Sequence, residues 1–318
     1  MDVDGVCAFP EFPQAIDARV DAIQRVASRV WSERPDLRTT YVTSLNPEYW
    51  IWLAWHGLDE YAELRAAWFA VPPAWLLERC AGVGASERDF VRSGSVDWRR
   101  QLAALERGGV RLEGSSILEL GCGAGRVLRY FSRYSAGTMF TGADWDGEAV
   151  DWCRRELGFA EFVTMPQRPP SALRANSFDA VLIPNVLQNL EPMAAVDWVE
   201  ECAGLLRPGG LVIACYLGAC AVQRWLSADS PSSAPTADEL RRELVRLRDE
   251  GVLYFPAPSP ESAWPENAAW VRSADPSMLG TCFLTREHVE RSWTRRFSVV
   301  EILEAPDGWQ DYAILRRL

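Results

Sequence analysis

Residues 117–128 read Ile-Leu-Glu-Leu-Gly-Cys-Gly-Ala-Gly-Arg-Val-Leu. The first four residues fit a buried strand, and the alternating glycines predict a tight turn that runs into a helix. Gly121, Gly123 and Gly125 permit positive φ angles and let the backbone approach a ligand closely. The amino terminus of the helix is expected to offer free N–H groups, which suit a carboxylate. Taken alone, such a turn is also typical of dinucleotide-binding folds.

Downstream of this turn, strand patterns alternate with helical segments long enough to be crossovers. This succession predicts a parallel sheet with helices on both faces. The predicted strands are Ile117–Leu120, Met139–Ala143, Glu161–Thr164, Phe178–Ile183, Leu211–Tyr216, Phe297–Ile302 and Asp311–Leu315.

Two acidic residues make the glycine motif more specific. Glu119 precedes the first glycine by two residues, where dehydrogenases usually carry an apolar residue. Asp144 ends the second strand about 20 residues beyond the turn, where a carboxylate can accept hydrogen bonds from both hydroxyls of a ribose. Two further segments, 176–182 and 205–211, follow in order.

These four segments resemble class I S-adenosylmethionine (SAM)-dependent methyltransferases in order and spacing, most strongly over residues 115–217. The resemblance implies SAM as the cofactor. It also implies a Rossmann-like, doubly wound, seven-stranded sheet that is mostly parallel, with the last strand antiparallel. By position, the cofactor-binding residues would be Glu119, Gly121, Cys122, Gly123, Gly125, Asp144, Trp145, Gln167 and Pro184.

The sequence departs from the family at two places. After the third strand, relatives often have an acidic residue near the adenine, and here backbone groups or Gln167 must serve. After the fourth strand, many relatives carry a pair of histidines, and here the positions are Gln188 and Asn189. No catalytic histidine can therefore be carried over to this place.

Residues 1–110 are interpreted as an N-terminal helical cap, and residues 111–318 as the SAM-binding domain, with an insertion at about 217–296. Helices are expected at about 16–33, after Asn46-Pro47 and at 87–107, and a charged helix at 237–250.

Several side chains are candidates for the acceptor site. Tyr49, Trp52 and His56 fall on one helical face, either as packing of the cap or as a lid with His56 as general base. Asn185, Gln188 and Tyr216 follow strand ends, where ligands bind in open α/β sheets. The predicted acceptor-binding residues are Tyr49, Trp52, Asn185, Gln188 and Tyr216.

Composition excludes some partners. The formal net charge is −11, and all 33 basic residues are arginines, which argues against a nucleic-acid substrate. No metal-binding spacing, no signal peptide and no membrane-spanning apolar run is visible, so a cytoplasmic protein without a bound metal is expected.

The expected function is methyl transfer from SAM to the nitrogen or oxygen of a small molecule. Two alternatives stay open at the level of sequence. One is an enzyme that consumes SAM without methylating, as a lyase, a cyclase or an aminocarboxypropyl transferase. The other is a SAM-binding protein without turnover. The sequence does not fix the oligomeric state.

Overall fold

The computed structural model describes residues 71–82, 84–227, 235–257, 275–305 and 308–318. The compact unit to which they belong runs from Pro72 to Leu318. The helices expected at 16–33 and after Asn46 lie outside the described residues. The helices of the described part are α1 (Ala74–Ala81), α2 (Glu87–Arg107), α3 (Gly147–Glu156), α4 (Pro192–Leu205), α5 (Ala219–Leu226), α6 (Ala237–Glu250) and α7 (Arg286–Ser292).

Seven strands form the main sheet in the order β3-β2-β1-β4-β5-β9-β8. Strands β1 to β5 pair in parallel, and β9 is antiparallel to both of its neighbours. The Rossmann-like fold predicted from the sequence is thus confirmed. These strands are β1 (Ser116–Leu120), β2 (Met139–Asp144), β3 (Glu161–Thr164), β4 (Phe178–Ile183), β5 (Leu206–Tyr216), β8 (Phe297–Leu303) and β9 (Asp311–Arg317).

The strand order decides where a ligand can bind. The chain turns outward in opposite directions on the two sides of the β1–β4 pair, so the sheet has its topological switch point there. Ligands of open α/β sheets bind in the crevice at the carboxyl ends of the strands that flank this point. The glycine turn after β1, Asp144 at the end of β2 and Asn185 after β4 all reach this edge.

The insertion contains more regular structure than the sequence analysis predicted. The charged helix at 237–250 is confirmed as α6, and Thr236 and Glu239 close its amino terminus with a capping box. A two-stranded antiparallel sheet of β6 (Val252–Pro256) and β7 (Gly280–Leu284) follows it. A separate apolar cluster, to which Trp225 and Phe283 contribute, lies beneath these elements.

Helices α1 and α2 belong to the compact unit that contains the sheet. Aromatic packing joins α2 to the segment after the glycine turn. Trp98 of α2 is buried, and its ring meets the rings of Tyr130 and Phe131 in the segment after the glycine turn. That segment, Leu128–Tyr134, is a 3-10 helix, where the sequence predicted an ordinary helix.

Helix α2 also makes a close backbone approach to the loop that follows β1. A Cβ built on Gly94 would lie 2.1 Å from the carbonyl oxygen of Arg126. No side chain fits in that space, so only glycine allows the helix to lie against this loop. The contact fixes how the next turn of α2 faces the switch point.

We predict that Gly94→Ala lowers the free energy of unfolding by about 1–3 kcal/mol, because the added methyl group overpacks this contact. Gly204→Ala in α4 is the matched control, since a Cβ there meets nothing within 4 Å. The control should raise stability by up to about 1 kcal/mol through helix propensity. Urea denaturation measures both effects, and equal effects of the two substitutions would contradict the packing argument.

Candidate active site

The glycine turn has the predicted backbone conformation. Gly121, Gly123 and Gly125 all have positive φ angles, of 77°, 50° and 66°. A Cβ built on Gly123 would lie 2.9 Å from the Cys80 sulfur of α1, so the turn and the end of α1 are in close contact.

The N–H groups of this turn are not free, contrary to the sequence-based expectation. Gly123 N–H donates to Asp144 Oδ2 over 2.7 Å, and Ala124 N–H donates to Cys80 Sγ over 3.2 Å. The N–H groups of Gly121 and Cys122 both donate to the Ala143 carbonyl. The turn thus offers a ligand its close backbone surface and not a row of unoccupied donors.

Asp144 lies at the end of β2 with little solvent exposure. Its Oδ2 accepts the Gly123 N–H, and its Oδ1 accepts the Asp146 N–H over 2.9 Å. A carboxylate has about four acceptor positions, so about two remain for further donors such as the hydroxyls of a ribose. Burial raises the pKa of Asp144 to about 6, although these two backbone donors oppose the shift.

Glu119 is the most deeply buried carboxyl group of the site, with 2% of its surface exposed. Its Oε2 has no hydrogen-bond partner among the described residues. Burial raises the pKa of Glu119 to about 8, and the nearby Arg126 guanidinium offsets part of that shift. A buried carboxyl oxygen without a partner would be satisfied by a hydrogen-bonding group of a ligand.

The carboxyl-terminal half of α1 lies against the loop that begins α3. Arg79 donates to Asp146 Oδ2 over 3.1 Å and to Glu148 Oε2 over 2.7 Å, and the Arg79 side chain is almost fully buried. Asp146 in turn caps α3 by accepting the N–H groups of Glu148 and Ala149. These contacts hold α1 beside Asp144, the predicted ribose-binding residue.

A network of hydrogen-bonded polar side chains lies just after the end of β4. Asn185, which has a positive φ of 58°, donates from Nδ2 to Asp97 Oδ2 over 2.8 Å. Its Oδ1 accepts from Gln310 Nε2 over 2.5 Å and from Gln188 Nε2 over 3.3 Å. Gln188 Oε1 is buried and has no partner among the described residues.

Asp97 connects this polar network to the glycine turn. Its Oδ2 also accepts from Arg126 Nη2 over 2.6 Å, in an ion pair that is about 90% buried on both sides. Its Oδ1 accepts from Arg100, which is partly exposed. Asp97, Arg126 and Gln310 are therefore part of the candidate site, although the sequence analysis did not select them.

One sequence signal could have found Asp97. Phe90, Gly94, Asp97 and Gln101 follow helical spacing in α2, and all four are buried. Two polar side chains on a face that otherwise packs against the sheet require buried partners, which is a reason to suspect a site.

Two predicted residues have other roles in the structure. Gln167 holds residue 275, since its Oε1 accepts the Asp275 N–H over 2.7 Å and its Nε2 donates to the Asp275 carbonyl. Tyr216 is fully buried against Trp293, beside the carboxylate of Asp311, and burial raises the pKa of Tyr216. The Gln167 amide is thus already occupied, and Tyr216 lies in the core.

The remaining predicted residues fall into two groups. Cys122 and Pro184 are buried at the ends of β1 and β4, and Trp145 is half-buried directly after Asp144. Tyr49, Trp52 and His56 lie outside the described residues, so their roles stay predictions.

The described residues fit the cofactor that the sequence analysis implied. The glycine turn has the backbone conformation predicted for it, Asp144 keeps acceptor positions for a ribose, and Glu119 Oε2 is left without a partner among the described residues. Within the described ranges, His, Cys, Asp and Glu side chains form no cluster able to hold a metal ion. In the same part of the chain, no helix combines the length and apolar character of a membrane span.

Sequence comparison relates this chain to known methyltransferases. Residues 118–212 match the family model described as a methyltransferase domain. A fatty-acid O-methyltransferase of Mycolicibacterium smegmatis is 33% identical over 132 residues, which are 41% of this chain and 45% of that protein. A ubiquinone biosynthesis O-methyltransferase of Bradyrhizobium sp. is 28% identical over 168 residues, 46% of this chain and 64% of that protein. The matched part thus spans less than two thirds of either relative.

Among solved structures, a SAM-dependent methyltransferase from Mesorhizobium loti superposes with a TM-score of 0.48 at 15% identity. The superposition covers 71% of this chain and 99% of that one.

We predict that Asp144→Ala weakens SAM binding at least tenfold, about 1.4 kcal/mol, as measured by calorimetry at pH 7.5. Asp151→Ala, on the exposed side of α3, is the control and should leave affinity unchanged. A wild-type affinity for the Asp144 variant would contradict the assignment.

The wild-type affinity should also depend on pH. Because the pKa of Asp144 is about 6, lowering the pH from 7 to 5 protonates this carboxylate and removes acceptor capacity. Affinity should fall about tenfold over this range in the wild type and stay nearly constant in Asp144→Ala. The pKa of Glu119 is about 8, so this carboxyl group stays largely protonated throughout the range.

Proposed function

Residues 118–212 match the family model of a methyltransferase domain, and we propose that the protein uses SAM to methylate an oxygen or nitrogen atom of a small-molecule acceptor. The observation that carries the acceptor half of this proposal is the buried Gln188 Oε1, which has no partner among the described residues. A buried acceptor of this kind is satisfied by a hydroxyl or amine donor of the bound molecule.

When bound, SAM would supply a methyl group on a sulfonium. The lone pair of the acceptor atom would bond to the methyl carbon as the carbon–sulfur bond breaks, so that neutral S-adenosylhomocysteine leaves and the acceptor atom gives up its proton. The protein then contributes mainly position and exclusion of water. Glu119 and Asp144 would hold the cofactor, and Gln188 would accept the hydrogen bond of the reacting O–H or N–H group.

Gln188 Oε1 can only accept a hydrogen bond, and this favours one class of methyl acceptor. A fatty acid, the substrate in the name of one relative, is ionised at neutral pH and offers no hydrogen to Gln188 Oε1. A phenol or an amine offers one. We therefore propose that a hydroxyl- or amine-bearing molecule is preferred over a carboxylic acid.

Tyr49, Trp52 and His56 stay candidates from the sequence pattern alone. Tyr49 and Trp52 would bind the acceptor, and His56 would take the proton of a hydroxyl acceptor. The charge of −11 supports a small acceptor without nucleic-acid binding.

We expect methyl transfer from radiolabelled SAM to phenols or aromatic amines at a kcat/KM at least tenfold above that for fatty acids of similar size. Gln188→Leu should remove most of this transfer, because it deletes the acceptor oxygen. Gln223→Leu, at an exposed position of α5, is the matched control and should behave as wild type.

Mass spectrometry of the nucleoside product completes the test. S-adenosylhomocysteine supports methyl transfer, whereas methylthioadenosine would mean that SAM is consumed by another reaction. A preference for fatty acids, or full activity of Gln188→Leu, would contradict the proposed acceptor class.

A further inference from the structure

The charge of Asp97 determines which hydrogen-bonding groups around Asn185 donate and which accept. Asp97 accepts from the guanidinium groups of Arg126 and Arg100, so it is present as a carboxylate and can only accept. Asn185 therefore has to turn its NH₂ group toward Asp97, and the 2.8 Å distance from Nδ2 to Oδ2 agrees with this.

The orientation of the Asn185 amide in turn sets the orientation of the side-chain amides of Gln188 and Gln310. With its NH₂ group on Asp97, Asn185 presents its Oδ1 to the two glutamines, which then must both donate. Gln188 donates from Nε2 in this bond, and its Oε1 has no hydrogen-bond donor among the described residues. The group that remains for a ligand is thus an acceptor and not a donor.

We propose that Asp97 is a positioning residue that sets the hydrogen-bond polarity of the acceptor site, so that the site selects molecules with an O–H or N–H group. The proposal rests on the proposed function for the site that it concerns. The direction of the amide chain rests only on the described contacts and can be tested without any acceptor.

A purely structural role for Asp97 makes different predictions. If Asp97 only neutralised the buried Arg126, its replacement would lower stability and leave the choice of acceptor as it was. If Asp97 sets polarity, Asp97→Ala lets the Asn185 amide turn over, because its NH₂ group loses its acceptor and its oxygen can then accept from the Arg126 guanidinium. Gln188 would then present its NH₂ group to the ligand.

The first experiment follows the side-chain amides by nuclear magnetic resonance in full-length protein labelled with ¹⁵N at Asn and Gln. Hydrogen exchange of the Gln188 NH₂ group should become at least fivefold faster in Asp97→Ala than in the wild type, because this group loses its bond to Asn185. Arg100→Gln is the matched control, since it removes an ion pair from Asp97 and keeps the carboxylate. Its Gln188 exchange rate should equal that of the wild type.

The second experiment measures binding of phenol and of anisole, its methyl ether without an O–H group, to protein saturated with S-adenosylhomocysteine. The wild type and Arg100→Gln should prefer phenol at least tenfold, and Asp97→Ala should lose most of this preference. An unchanged preference, with wild-type exchange at Gln188, would overturn the role of Asp97.

The two experiments also separate this inference from the proposed function. If the exchange rates change as expected but neither probe binds to the wild type, the amide direction stands and the proposed acceptor class is wrong. If Asp97→Ala fails to fold, Asp97→Glu keeps an acceptor-only group and Asn185→Asp removes the turning amide. In Asp97→Glu the Gln188 exchange rate should match the wild type, and a faster rate would contradict the proposal.

Discussion

The buried ion pair between Asp97 and Arg126 is the interaction on which the rest of the site depends. Arg126 directly follows the glycine turn, and Asp97 lies on α2, so the pair joins two elements that are far apart in sequence. Leaving either charge alone in this environment would cost about 3–5 kcal/mol. The pair also links Glu119 to Asn185. The Arg126 guanidinium lowers the pKa of Glu119, and Asp97 accepts the hydrogen bond of Asn185.

The fold provides the geometry that this pair requires. Gly94 allows α2 to approach the backbone of Arg126, and one helical turn later Asp97 reaches the guanidinium. The strand order brings the ends of β1, β2 and β4 to one edge, so the glycine turn, Asp144 and Asn185 converge. The close packing and the buried charges are therefore parts of one arrangement at the switch point.

The sequence was sufficient to predict the sheet, because residues 117–128 and the strand–helix alternation are local patterns. It also selected Glu119, Asp144 and Gln188, which are buried in the structure. It did not select Asp97 or Gln310, whose shared partner Asn185 lies 88 and 125 residues away in sequence. Contacts of that kind depend on how helices and strands pack and leave little local signal.

Gln167 and Tyr216 both contact the insertion that packs at this edge of the sheet. Asp275 of the insertion binds the Gln167 amide, and Trp293 packs on Tyr216. The expected free N–H groups of the glycine turn were likewise taken by Asp144 and by Cys80 of α1.

A crystal structure of the protein with S-adenosylhomocysteine tests the central claim most directly, namely that the cofactor lies at the β1–β4 switch point between Asp144 and the amide chain of Asn185. The account predicts ribose hydroxyls within about 3 Å of the Asp144 carboxylate, and the sulfur atom on the side of the ligand that faces Gln188. A ligand bound elsewhere in the molecule, or one whose sulfur is separated from Gln188 by the packed core, would contradict it.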